Sequence, residues 1–388
     1  MFFLNKKPAV KPLPKLPLSL VVLKKDLLKK KQLTSETNPS PPITKDEMYL
    51  INRIHSETQR WNRNNLTRTK AYLDFYKSHP EIHWAFLGHM VSRNGGWNMT
   101  DLEGEFLAVL LSSNERHQFF SFLERGNWLI FQDAYPQFLL YEESLKRGKP
   151  LFHLLSHFGV SMFMEAMWNH FFVYHNQYML TMALVVNEQS YLEERVIQKP
   201  HFKTNVINTL QFKLQELFSF THILFPYSKG SKIELIGKPL PQFDSLRQRI
   251  LLGKVLYGLL FRNKQVLERV YQWALSTPHT GSRNDYWPKL FSVVKEGTPG
   301  KIYQLKRLNG CRLKAGMPRI YSPQLQYVWN DVRHEPAEGG DWYKDIDVLE
   351  YLIEDQEKLG GDIKREYCQT LEKLEIAVIA KKAVSIWT

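Results

Sequence analysis

Apolar and aromatic residues return every three or four positions through most of this 388-residue chain, a period that fits helices and gives little room to strands. Thr44 and Glu47 have capping-box spacing ahead of Met48, Leu50, Ile51 and Ile54, which predicts a helix to about Arg60. After the WNRNN turn, Ala71, Tyr72, Phe75 and Tyr76 keep the period, and Pro80 is placed to start the next helix. That helix carries Ile82, Trp84, Phe86, Leu87 and Met90 and is expected to stop at Asn94, Gly95 and Gly96. A second capping box, Thr100 with Glu103, is expected to launch another through Phe106, Val109 and Leu110.

Further helices are expected over 114–125, 127–146 with Pro136 as a break, 151–197, 204–221, 243–261 and 264–275. A pair over 342–359 and 362–386 flanks Gly360 and Gly361, weak strand character falls at 232–236, and 277–316 is rich in turns. No repeat of fixed period and no alternation of strands with helices occurs, so the fold class is all-α, a multi-helix bundle. Its expected divisions are a disordered tail over 1–43, a helical core over 44–335 and a C-terminal helical pair over 336–388.

The net charge of +13 is unevenly placed, because residues 1–31 hold nine lysines and one aspartate, leaving +5 for the remaining 357 residues. That distribution argues against a nucleic-acid cleft running through the folded body. Seven prolines between Pro8 and Pro42 predict an extended tail. Within it, Leu20, Leu23, Leu27 and Leu28 would line one face of a short helix and Lys24, Lys25, Lys29 and Lys31 much of the rest, a pattern suited to an anionic membrane or nucleic acid contacted through residues 1–33. A solvated basic tail is the plainer alternative. No stretch is apolar for long enough to cross a bilayer. The two cysteines, Cys311 and Cys368, are far apart without CxxC spacing, so no disulfide framework or cysteine metal site is expected. The compartment read from this is cytoplasmic, with peripheral contact at the inner face of the membrane as its extension.

Phosphate-loop, dinucleotide, HExxH, GxSxG and EF-hand signatures are absent, and no cofactor is indicated. Three constellations remain. In the first, Asn65 and Arg68 open one helix while Arg93, Asn94, Asn98 and Asp101 close the next, so an antiparallel pair would gather amides and guanidinium groups at one end, able to hold a polar or anionic ligand or simply to cap helices. In the second, a continuous helix from Leu151 would align His153, His157, Ser161 and Glu165 in one stripe, with His153, His157 and Glu165 as metal ligands or as ordinary boundary residues. The third is PHTGSRNDYWP at 278–288, where His279, Ser282, Arg283 and Asp285 surround the flexible Gly281 as an anion-binding loop or a structural turn.

The stretches NNLTRTKAYLDFYKSHPEIHWAFLGHMVSRNGGWNMTDL, PHTGSRNDYWPKLF and YSPQLQYVWNDVRH, in this order, resemble the YppC-like family of uncharacterised proteins from Bacillus-type bacteria. The resemblance covers roughly residues 46–343 and implies a bacterial, cytosolic protein; it carries no catalytic residue. Three functions stay open: binding of a polar or anionic ligand in an Asn/Arg-lined pocket, with or without chemistry; a non-enzymatic interaction protein recruited by its basic tail; and a His/Glu metal-dependent hydrolase or oxidase.

Overall fold

In the computed structural model, residues 18–35, 42–209, 222–230, 232–239, 243–297, 306–354 and 360–387 are described. They form helices α1 (Leu18–Ser35), α2 (Lys45–Trp61), α3 (Asn65–Ser78), α4 (His83–Asp101), α5 (Ser113–Arg147), α6 (Met162–Tyr174), α7 (Gln177–Leu192), α8 (Leu246–Phe261), α9 (Lys264–Ser276) and α10 (Lys364–Trp387). An antiparallel hairpin, β1 (His222–Lys229) and β2 (Lys232–Pro239), adds the largest strand element, with His222 opposite Pro239 and Lys229 opposite Lys232. The helical class read from the periodicity is the observed one.

The molecule is arranged around α4. Its residues from Trp84 to Thr100 are buried on nearly every side, and it packs on α3, α5, α7, α8 and β1. A helix that is apolar or small all round is one that other elements must enclose. Both the Thr44 capping box and the Asn64 cap of α3 are formed, which fixes where the first two core helices begin.

The expected stop at Gly95 and Gly96 does not occur: α4 runs through both glycines to Asp101. Close packing, not chain reversal, requires them. A Cβ on Gly96 would lie 2.3 Å from Asn65 Oδ1 and 2.4 Å from His279 Nε2, and one on Gly95 would lie 3.1 Å from Asn127 Oδ1. Thr100 accordingly starts no helix; it lies in the last turn of α4 and donates to Trp97 O and Gly281 O. The next segment holds only a single turn, Leu107–Leu110.

Elsewhere the expected helices merge or divide. The two over 114–146 are one 35-residue helix, α5, which passes through Pro136. The span 151–197 is broken into a 3₁₀ segment, Phe152–Phe158, then α6, α7 and a wide turn at Glu193–Ile197, because Gly159 is left-handed and Ser161 caps α6. Of the C-terminal pair, the first member is a 3₁₀ segment, Ile346–Leu352, and the second is α10. The expected helix over 204–221 falls largely on residues outside those described.

The basic tail contains α1, not only extended chain. Leu20, Leu23 and Leu27 are at most 1% exposed, packed where α1 meets α6 and the 346–352 segment, while Leu28 is 45% exposed. Lys30 pairs with Glu165 of α6, and Lys31 donates to Lys344 O at 2.6 Å. Three of the four leucines proposed to meet a membrane are thus part of the core. Residues 1–17 and 36–41 of the tail lie outside the described residues.

Contrary to the sequence expectation, Cys311 and Cys368 form a disulfide, with Cα atoms 5.1 Å apart. The hairpin carrying Leu308–Asn309 and Arg312–Leu313 lies on α10, a contact that a spacing of 57 residues conceals. Such a bond persists in oxidising surroundings and is rare in a reducing cytosol. Among the described residues, no helix is long and apolar enough to cross a membrane.

The glycines give a direct test of this packing. Gly96→Ala should cost about 2–4 kcal/mol, since the added methyl displaces the Asn65–His279 bond. Gly126→Ala, inside α5 with its nearest atom, Leu192 Cδ2, 3.9 Å away, should be neutral or stabilise by up to about 1 kcal/mol through helix propensity. Urea unfolding midpoints of the two variants would check the contrast.

Candidate functional site

Against the inner face of α4, the polar residues singled out in the sequence form a buried, interlocked set. Asn65 donates to Ser92 O at 2.9 Å and Ser92 Oγ at 3.2 Å, so its Oδ1 is left to accept, and His279 Nε2 lies 2.9 Å from it. His279 Nδ1 is 3.5 Å from Asp285 Oδ2. Burial holds His279 below its usual range, with Asp285 opposing that shift. Asp285 in turn accepts from Thr280 N at 3.0 Å, Thr280 Oγ1 at 2.5 Å and Trp97 Nε1 at 3.3 Å.

His279, Ser282 and Asp285 do not make a hydrolytic triad. Ser282 Oγ donates to Ser322 O at 2.5 Å and accepts from Asn284 N, while the His279 ring is held between Asn65 and Asp285. Arg283 reaches α4: its Nε lies 2.7 Å from Asp101 Oδ2, its Nη2 3.1 Å from Asn98 Oδ1, and its Nη1 donates to Tyr286 OH at 2.8 Å. Against the cost of burial, Asp101 raises the pKa of Arg283, which keeps the guanidinium protonated, while burial raises that of Asp101 against the pull of Arg283.

The other arginines are distributed differently. Arg68 pairs with Glu124 at 2.5 Å and donates to Asn62 Oδ1 at 3.3 Å. Arg93 has no carboxylate partner among the described residues; it donates to His89 Nε2 at 3.1 Å, to Ala274 O at 3.3 Å and to Thr277 O, and it stacks on Trp273. Burial accordingly lowers it to about 10. Asn94 takes both backbone groups of one β1 residue, donating to Leu224 O at 2.9 Å and accepting from Leu224 N at 2.8 Å.

The structure does not gather the proposed metal ligands. The expected continuous helix ends at Gly159, His153 and His157 are exposed on the 3₁₀ segment, and His153 Nε2 meets Glu47 Oε1 at 3.0 Å. Glu165 lies on α6 and pairs with Lys30. Among the described residues, no group of three His, Cys, Asp or Glu side chains is arranged to hold a metal ion.

A larger feature lies beside α4. A cavity of about 220 Å³ lies between α3, α4, α5, α7 and α8, with Ile223 of β1 and Phe243 also in its lining, and its walls are mainly apolar, including Leu87, Ile130, Val185 and Leu252. Gly88, Gly126 and Gly253 are among its lining residues. Of the ten residues singled out as ligand-binding, Arg68 and Asn98 line this cavity; Arg283 and Asp101 line a separate recess of about 30 Å³.

Three lining residues of the larger cavity carry buried polar atoms without a hydrogen-bond partner: Arg68 Nε, Tyr72 OH and Glu188 Oε2. Sequence reasoning did not find Tyr72 or Glu188. Its signal was available for Glu188, a carboxylate following Val185, Val186 and Asn187 on an apolar helix that needs a partner. Burial pushes Glu188 up to about 8; Gln189, at 3.3 Å from its Oε1, opposes this, Asp133 adds to it and Trp84 opposes it.

The chain belongs to the family described as "Protein of unknown function (DUF2515)", which it matches over residues 60–357. It is 44% identical over 250 residues to the "Uncharacterized protein YppC" of Bacillus subtilis (strain 168), an alignment spanning 64% of this chain and 77% of that protein. No solved structure matches. Every residue lining the cavity falls within the family match, whereas α1 and α10 lie outside it.

The shifted carboxyl makes stability depend on pH. With a folded value near 8 against an ordinary 4.5, Glu188 keeps its proton in the folded state across a window in which the unfolded chain has lost it. Its contribution is fully present below the unfolded value and is lost as pH rises through the folded one. Glu188→Gln lacks this loss, so its urea midpoint should gain on that of the wild type between about pH 5 and pH 8.5. Parallel denaturation series at both pH values would check the sign.

Proposed function

We propose that this chain binds one small molecule, mainly apolar with a single polar end, in the cavity beside α4. The carrying observation is the coincidence of a cavity of about 220 Å³ with unpartnered polar atoms on Arg68, Tyr72 and Glu188. A buried polar atom left unpaired costs about 1–3 kcal/mol, which a ligand group would recover once the side chain turns that closed-off atom toward the chamber. An apolar chamber with a few polar groups at one side is the usual form of a small-molecule site.

This reading departs from the sequence expectation of a polar or anionic ligand in an Asn/Arg-lined pocket. Arg68 and Asn98 keep a place on the wall, and the loop at 279–285 acts by positioning α4. No catalytic step is assigned. The exposed Lys25 and Lys29 of α1 still offer charge to an anionic surface, a contact that would not use the leucines already in the core.

A neutral fluorescent probe tests the site. N-phenyl-1-naphthylamine should bind the wild type at a stoichiometry of about one and brighten as it leaves water. Ile130→Trp, which fills the chamber from α5, should weaken that binding about tenfold or more while leaving the unfolding free energy from urea titration within about 1 kcal/mol of wild type. Equal brightening by both proteins would refute the proposal.

A further inference from the structure

We infer that the ligand of this cavity is an apolar molecule ending in an amine, whose ammonium group is met by the Glu188 carboxylate. The inference rests on the cavity being a ligand site and concerns the charge that site accepts. Two cationic side chains line the chamber, and each already has its own carboxylate: Arg68 is paired with Glu124 at 2.5 Å, and Arg249 with Glu193. Arg249 also donates to Gln189 Oε1 at 3.0 Å and Phe243 O at 2.6 Å, which holds its guanidinium at the wall.

Glu188 is different. Among the described residues, no ion pair joins it to a basic side chain; neutral Gln189 and Trp84 act on its carboxyl as hydrogen-bond donors, and its Oε2 is shut off from solvent with no partner at close range. The one other charged group that acts on it is Asp133, also acidic. The uncompensated group of the chamber is therefore an acid, protonated while the chamber is empty; an arriving ammonium, which brings its own hydrogen-bond donors, stabilises the carboxylate form and releases that proton.

Tyr72 and Trp84 stand on the same wall, 5.3 Å apart between ring centroids in an edge-on arrangement. Aromatic faces favour an organic cation beside them. An anionic end group would face Glu188 directly, since Arg68 and Arg249 are already neutralised. The aliphatic side of the chamber, with Leu87, Ile130, Val185 and Leu252, fits a hydrocarbon body.

Three ligands of one chain length separate these possibilities. Decylamine, 1-decanol and decanoate would be titrated against bound N-phenyl-1-naphthylamine at neutral pH, with wild type and Glu188→Gln. In the wild type, decylamine should displace the probe at a concentration about tenfold below that of decanoate, with decanol between them. Glu188→Gln should bring amine and acid to within about twofold while still binding the probe and the alcohol.

Decanoate matching or exceeding decylamine on the wild type, where no variant is involved, would overturn the charge inference and leave the cavity reading intact. A preference for the amine that survives Glu188→Gln would remove Glu188 from the role. Failure of the probe itself to bind would defeat the cavity reading, and the inference with it.

Discussion

A helix buried on nearly every side must have most of its polar groups answered within the protein, and α4 sets that condition for the whole molecule. His89 meets the Thr69 carbonyl of α3, Ser92 meets Asn65, Asn94 meets the backbone of β1, and Thr100 meets Gly281. These bonds decide where α3, the hairpin and the 279–285 loop can sit, because an unanswered group in this position would cost about as much as a sizeable core cavity. The close approach at Gly96 is the tightest point of that arrangement, where helix backbone, Asn65 and His279 meet with no room for a methyl group.

The buried charges sort into two kinds. Arg307 lies between Glu105 and Glu375, and Arg283 is gripped by Asp101; these contacts tie distant parts of the chain together, each carboxyl held by an arginine. Breaking such a pair from one side is far more damaging than replacing both partners. Glu188 belongs to the second kind, a charge-bearing group beside a chamber with no counter-ion of its own. The contrast separates residues whose charge is used to build the fold from one whose carboxyl has no ion-pair partner among the described residues.

Periodicity and caps made most of the helices legible, and the Thr44 box and the α8 and α9 spans followed from residues adjacent in sequence. Where the sequence misled, the cause was a contact between distant segments. Gly95 and Gly96 read as a stop because glycine commonly ends helices, whereas here Asn127, Asn65 and His279 occupy the space a side chain would need. Gly159 was the reverse case, a glycine that does divide the chain and so scatters His153, His157 and Glu165. The cavity was illegible for the same reason: its wall is assembled mainly from five helices, and although Glu188 stands out on an apolar helix, nothing local shows that it borders a chamber. Asn65, Arg93, Arg283 and Asp285 were read as candidate ligand-binding residues, and in the fold most of their hydrogen-bonding capacity is used internally.

The link between Cys311 and Cys368 also divides the chain mechanically. Its 57-residue separation makes everything between the two sulfurs a covalent ring, so tension applied through the termini passes across the disulfide and bypasses Trp329, the Arg125 contacts of 335–336 and the 346–352 segment. On full extension the oxidised chain would be shorter than the reduced one by about 200 Å, at roughly 3.5 Å per residue. Reduction would therefore turn a load-bypassing loop into part of the load path, and the segments that cover α4 from the C-terminal side would begin to feel any pull on α10.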